Sequence, residues 1–111
     1  MPSAAHDLGG GPWHWEGPQG SPVPRERYTV EFTGDARVLV LADCNRGSGR
    51  YTQDAGGRLT LTPIATTKIA CPAGSQDAAF LRQLGAVEGY RMDAGVLQLT
   101  LRGGGTMRLV R

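Results

Sequence analysis

Asp43-Cys44-Asn45-Arg46-Gly47-Ser48-Gly49-Arg50-Tyr51 and, further on, Thr66-Thr67-Lys68-Ile69-Ala70-Cys71-Pro72 hold both cysteines of this 111-residue chain. Each cysteine ends a run of strand-type residues and begins a turn, so joining them would tie two distant turns of a small β-rich domain together. Just upstream, Val38-Leu39-Val40-Leu41-Ala42 is a continuous apolar run, which fits a central strand covered on both faces. Asn45 to Gly49 reads as a loop, followed by a short strand through Arg50, Tyr51 and Thr52 and a hairpin at Asp54-Ala55-Gly56-Gly57. Arg58 to Thr62 alternates until Pro63 stops it, and Ile64 to Ile69, rich in β-branched residues, reads as a bent strand leading to Cys71-Pro72.

Outward from this stretch, Tyr28-Thr29-Val30-Glu31-Phe32 alternates with Tyr28, Val30 and Phe32 inward, and Gly34-Asp35 supplies a turn. Trp13-His14-Trp15 places both indoles on one face and His14 on the other, and reads as an edge strand. Between them the run Gly17 to Pro24 is a loop, because its prolines lack the N–H a ladder needs. Towards the C-terminus, Ser75 is placed to cap a helix with Asp77 in its first turn and Phe80, Leu81 and Leu84 on its apolar face, until Gly85 ends it. The last third is a meander: Val87 to Met92, a turn at Asp93-Ala94-Gly95, Val96 to Leu101, a turn at Gly103-Gly104-Gly105, and Met107 to Val110. The expected fold is mainly β within the α+β class: a small, strongly twisted antiparallel sheet or barrel, with one short helix over an open end or face. Residues 1–12 read as a disordered lead-in and 13–111 as a single domain.

Composition bounds the function. Gly 17 and Pro 7 make roughly a fifth of the chain turn-forming, which favours short strands over long helices. A net charge of +2, with Arg and Asp/Glu alternating along the chain, gives no clustered basic footprint, so nucleic acid is not an expected partner. No window approaches a transmembrane span and the first thirty residues lack the apolar core of a signal peptide; any export signal is expected to have been removed.

Each candidate chemistry has a plainer competitor. The cysteines lie 27 positions apart and fit neither Cys-x-x-Cys nor a four-ligand zinc set, and only His6 and His14 could complete one, so no metal and no cofactor are expected. If oxidised, Cys44 and Cys71 would destabilise the unfolded chain by roughly 3.5 kcal/mol on the chain-entropy account. If reduced, they would pack as small hydrophobes, or act as a redox-active dithiol given an accessible, low-pKa sulfur. A nucleophilic Cys44 or Ser48 needs a base, and His14 is the one histidine inside the fold, on the face opposite the tryptophans; an enzyme is not expected. Gly47-Ser48-Gly49 lacks the Lys-Ser/Thr ending of a phosphate loop and runs into a strand. The expected interaction surface is Asn45, Arg46, Ser48, Arg50 and Tyr51, with Asn45 capping the turn. Trp15, Tyr28 and Phe32 would line a pocket for a small molecule or lipid if the barrel interior were open.

Taken together, Trp13, Tyr28-x-Val30-x-Phe32, Cys44-Asn45-Arg46-x-Ser48-Gly49-x-Tyr51, Thr67-Lys68-Ile69-Ala70-Cys71-Pro72, the helix with Asp77 and Phe80, and Leu97-x-Leu99 resemble the META/HslJ domain family. The resemblance spans nearly the whole chain from Trp13, and departs from the family in having Leu41-Ala42-Asp43 before Cys44. It implies a monomeric, non-enzymatic protein of the bacterial envelope, periplasmic or associated with the outer membrane. Contact with the membrane would be only through a removed lipid anchor, with ties to heat shock and stress. Its partner would be another envelope component or a small ligand.

Overall fold

The computed structural model describes residues 8–18 and 21–111. Alternation of period two becomes an antiparallel sheet of nine strands: β1 (Trp13–Trp15), β2 (Tyr28–Phe32), β3 (Arg37–Ala42), β4 (Asn45–Gln53), β5 (Leu59–Leu61), β6 (Ala65–Thr66), β7 (Val87–Asp93), β8 (Val96–Leu101) and β9 (Thr106–Val110). The helix α1 (Asp77–Leu84) precedes β7, and a 3-10 turn at Arg25–Arg27 leads into β2. The strand order is β5-β4-β3-β2-β1-β9-β8-β7, with β6 added to β4. The two ends of that path meet where Arg58 bridges Gly89 and the Tyr90 amide donates to Gly57 O at 2.8 Å, so the sheet nearly closes into a barrel. Among the described residues no helix is long and apolar enough to cross a membrane.

Closure decides which face is core. Tyr28, Val30 and Phe32 of β2, Val38, Val40 and Ala42 of β3, Leu97 and Leu99 of β8, and Met107 and Leu109 of β9 all point inward and are buried. α1 covers one opening, burying Phe80 and Leu84. Helix entry differs in detail from the expectation: Gln76 occupies the cap position without a side-chain bond. Ser75, one residue earlier, accepts from the Asp77 amide at 3.2 Å and donates to Asp77 Oδ1 at 3.1 Å.

Four expectations are corrected. Trp13–Trp15 is not an edge strand: β1 lies between β2 and β9, through Trp13 opposite Val30 and Trp15 opposite Leu109, because the last strand returns beside the first. β3 is central in the sheet but open on its outer face, where Leu39 is 42% exposed, since the helix covers the interior rather than the sheet's outside. Asn45 to Gly49 is not a loop but the first half of the nine-residue strand β4. Its glycines are there for clearance: a Cβ on Gly47 would come within 2.6 Å of Thr66 Cγ2 and 2.7 Å of Ile64 Cγ2, and one on Gly49 within 3.1 Å of Ile64 Cδ1. The lead-in ends earlier than residue 12. Residues 1–7 lie outside the described part, but Leu8 is fully buried and its carbonyl accepts from Trp13 Nε1 at 2.9 Å.

The barrel seam rests on one small residue. A Cβ at Gly89 would stand 2.7 Å from Thr100 Oγ1 and 3.0 Å from the Gly57 carbonyl, beside a register shift between Val87 and Gly89. Gly89→Ala should therefore push the seam apart, lowering stability by about 1–3 kcal/mol and accelerating hydrogen exchange at the Tyr90 amide ahead of amides in β2 and β3. Exchange unchanged at Tyr90 would show that the seam does not depend on this approach.

Candidate functional site

Asn45 opens β4, directly after Cys44 in the β3–β4 turn, and its side chain points inward rather than to solvent, leaving the residue 3% exposed. A buried amide must find partners for two donors and an acceptor. Asn45 Nδ2 donates to Ile69 O at 2.9 Å and to Asp77 Oδ2 at 3.2 Å, while Oδ1 accepts from the Ile69 amide at 2.7 Å and the Thr67 hydroxyl at 2.8 Å. One side chain thus joins β4, the Thr67–Ile69 segment, which is irregular rather than the strand expected as far as Ile69, and the first turn of α1. Beside it, Cys44 and Cys71 form a disulfide with Cα atoms 5.6 Å apart. Tyr28 completes the junction: its hydroxyl accepts from the Gln76 amide at 2.9 Å, ahead of the helix.

The residues expected to form one interaction surface divide between the two faces of β4. Asn45 and Tyr51 turn inward and are buried; Arg46 and Arg50 turn outward and are exposed, with Ser48 half-buried between them. Asn45 and Tyr51 therefore leave the surface assignment, because a strand sends alternate side chains to opposite faces. Tyr51 packs edge-on against Phe32 at 5.0 Å and donates its hydroxyl to Thr33 O at 3.1 Å. Burial first, and the nearby Asp35 charge second, raise its pKa.

Threonines fix this edge. Arg46 N donates to Thr67 Oγ1 at 3.0 Å and Arg50 N to Thr62 Oγ1 at 2.9 Å, with return bonds from the two threonine amides to the arginine carbonyls. The intervening Ile64–Thr66 segment lies against the two glycines of β4, so the strand's free edge is covered.

On the outer face the register sets Arg37 opposite Arg50, Leu39 opposite Ser48, and Leu41 opposite Arg46. A shallow depression of about 330 Å³ runs over Leu39, Leu41, Arg46, Thr29 and Glu31. Asp35 sits in the turn beside the opposed arginines. The Thr33 hydroxyl bond, foremost, holds its carboxyl below the usual range, and the Arg37 and Arg50 charges add to the effect.

Trp15, Tyr28 and Phe32 do not together line an open pocket in the barrel interior. Each is 2% exposed. Trp15 stacks on Phe80 with centroids 4.8 Å apart, and Tyr28 stands edge-on to both at 5.6 and 5.5 Å. The helix delivers Phe80 into the space those residues would otherwise enclose. Sequence reading also missed Leu8 and the Asp77–Asn45 contact, for which the only signal was an acidic residue in the first helical turn.

The model of the META domain family matches residues 6–111, and the chain belongs to that family. No curated protein matches the sequence. Among solved structures, the NMR structure of a protein from Burkholderia xenovorans is similar at TM-score 0.69 and 25% identity, over 100% of this chain and 90% of that one. A crystal structure of a DUF4847 family protein from Bacteroides vulgatus aligns at TM-score 0.68 and 15% identity, covering 96% of this chain and 94% of its own. Another NMR structure aligns at TM-score 0.73 and 22% identity, over 99% and 95%. The last two, below 25% identity, speak to the fold alone.

Two outcomes test this geometry. Asn45→Ala leaves the Ile69 amide and carbonyl without their buried partner and should cost roughly 2–4 kcal/mol in chemical unfolding. Asn45→Asp should be worse at neutral pH than in mild acid, where a proton on one of the two facing carboxyls restores a donor; equal losses at both pH values would remove Asp77 from the junction. For Tyr51, a folded pKa above the unfolded value near 10 means its contribution is fully present below that value and is lost as pH rises through the folded one. The difference in phenolate absorbance between wild type and Tyr51→Phe should place this step above pH ~10, and the variant should lose less stability over that range.

Proposed function

We propose that this META-domain protein is an exported, non-enzymatic component of the bacterial envelope that works by recognising another envelope component through the outer face of β3 and β4. The observation that carries the reading is Leu39, 42% exposed in mid-sheet, with Arg37 and Arg50 on one side and Leu41 and Arg46 on the other. An aliphatic centre ringed by guanidinium groups is the composition of an interface core with a polar rim. Arg46, Ser48 and Arg50, from the surface expected on sequence, remain part of it.

Three further observations support the reading. The interior is filled by aromatic side chains, so recognition falls to the outside. The Cys44 sulfur is bonded to Cys71 and so offers no thiolate, and a disulfide suits an oxidising compartment. His14 Nδ1 is engaged with Arg25 O at 2.7 Å, on a strand remote in the sheet from Ser48.

Photo-crosslinking tests it. A crosslinker placed at Leu39 or Arg46 in the producing cells should give a discrete adduct in the envelope fraction. The same group at Glu88 or Arg91, both exposed on β7 at the opposite end of the strand order from β4, should not. Adducts that are absent, cytosolic, or alike from all four positions would overturn the proposal.

A further inference from the structure

Another concavity lies elsewhere, on the outer face of β1, β8 and β9, with residues 16–18 and 21–25 along its side. It measures about 800 Å³, within the range of small-molecule sites. Pro18, Pro22, Val23 and Val110 give it an apolar wall; Arg25 and Arg108 bring positive charge to it.

Its frame is held by short-range bonds. Glu16 N donates to Arg108 O at 3.1 Å, Arg108 Nε pairs with Glu16 Oε1 at 2.7 Å, and Ser21 N closes a turn on Pro18 O at 2.8 Å. His14 Nδ1 carries its proton towards Arg25 O, tying the end of that segment to β1. Two prolines with fixed φ reduce the entropy a ligand would otherwise have to remove.

Charge then decides the ligand. Glu16 is matched by Arg108, and the Arg25 side chain has no ion pair or hydrogen bond among the described residues. The lining thus holds two guanidinium groups against one carboxylate, beside an apolar wall. We propose that this groove binds a small carboxylate with an apolar body, its anionic group on Arg25 and Arg108, its hydrocarbon against Val23, Val110 and the two prolines. The proposal is independent of the β3–β4 face, which lies on other strands.

NMR titration of the isotopically labelled chain with hexanoate, acetate and 1-hexanol tests it. Hexanoate should shift the amides of His14, Val23 and Val110 saturably, with acetate and hexanol binding at least about tenfold more weakly, since each lacks one half of the match. Arg25→Gln should weaken hexanoate by about tenfold with an unchanged melting temperature, because that side chain supports nothing in the fold. No saturable shift, equal binding of hexanol, or undiminished hexanoate binding by the variant would each overturn the proposal.

Discussion

The Asn45 amide sits where β4 begins, where the Thr67–Ile69 segment passes and where α1 starts, and it bonds to all three. None of these could hold the others by apolar packing alone: the segment is largely exposed, and Asp77 to Ala79 at the start of α1 offer little apolar surface. A satisfied buried amide is worth little more than its water bonds, but an unsatisfied one is expensive, so the junction tolerates only the arrangement that serves every partner. The Cys44–Cys71 bond beside it acts on the other state. It limits the unfolded chain, while Asn45 selects among folded arrangements.

From that junction the interior follows. With the start of α1 fixed by Asn45 to Asp77 and by Tyr28 to Gln76, the helix must enter with Phe80 over the barrel opening. There Phe80 stacks on Trp15 and stands edge-on to Tyr28, which is itself edge-on to Trp15, each contact adding about 0.5–1.5 kcal/mol beyond the area buried. Trp13 is held separately, by Leu8 O on its indole nitrogen and by the Arg111 guanidinium 4.0 Å from the ring centroid. The two indoles of β1 therefore have different ring and polar partners within one core.

Much of this was legible from local pattern. The alternation in Tyr28–Phe32, Val96–Leu101 and Thr106–Val110, the helix from Asp77, and the turn that carries Cys44 are properties of short windows, and the structure has them where the residues place them. What was misread depends on distant chain. Gly47 and Gly49 look like loop residues because glycine costs a strand entropy, and only the approach of Ile64 and Thr66 explains them. Trp13–Trp15 is a short run that looks peripheral until β9 arrives. Asn45 next to a turn reads as a surface cap, and its burial comes from Ile69 and Asp77. The aromatic trio suggested a cavity because the residue that fills it sits on the helix, not on a strand.

The outer surface is where stability does not explain the residues. Arg37 directly opposite Arg50 is a like-charge cross-strand pair, which costs rather than contributes. Asp35, kept ionised by Thr33, offsets part of that repulsion from the turn. Leu39, beside that pair and opposite Ser48, leaves much of its apolar area in water, forgoing the roughly 25 cal/mol per Å² that burial would return. Serine or threonine there, and a glutamate opposite either arginine, would suit an isolated sheet better. A face that gives up stability at three neighbouring positions, on a barrel whose interior is filled by side chains, is the kind of surface the proposed recognition from outside would use.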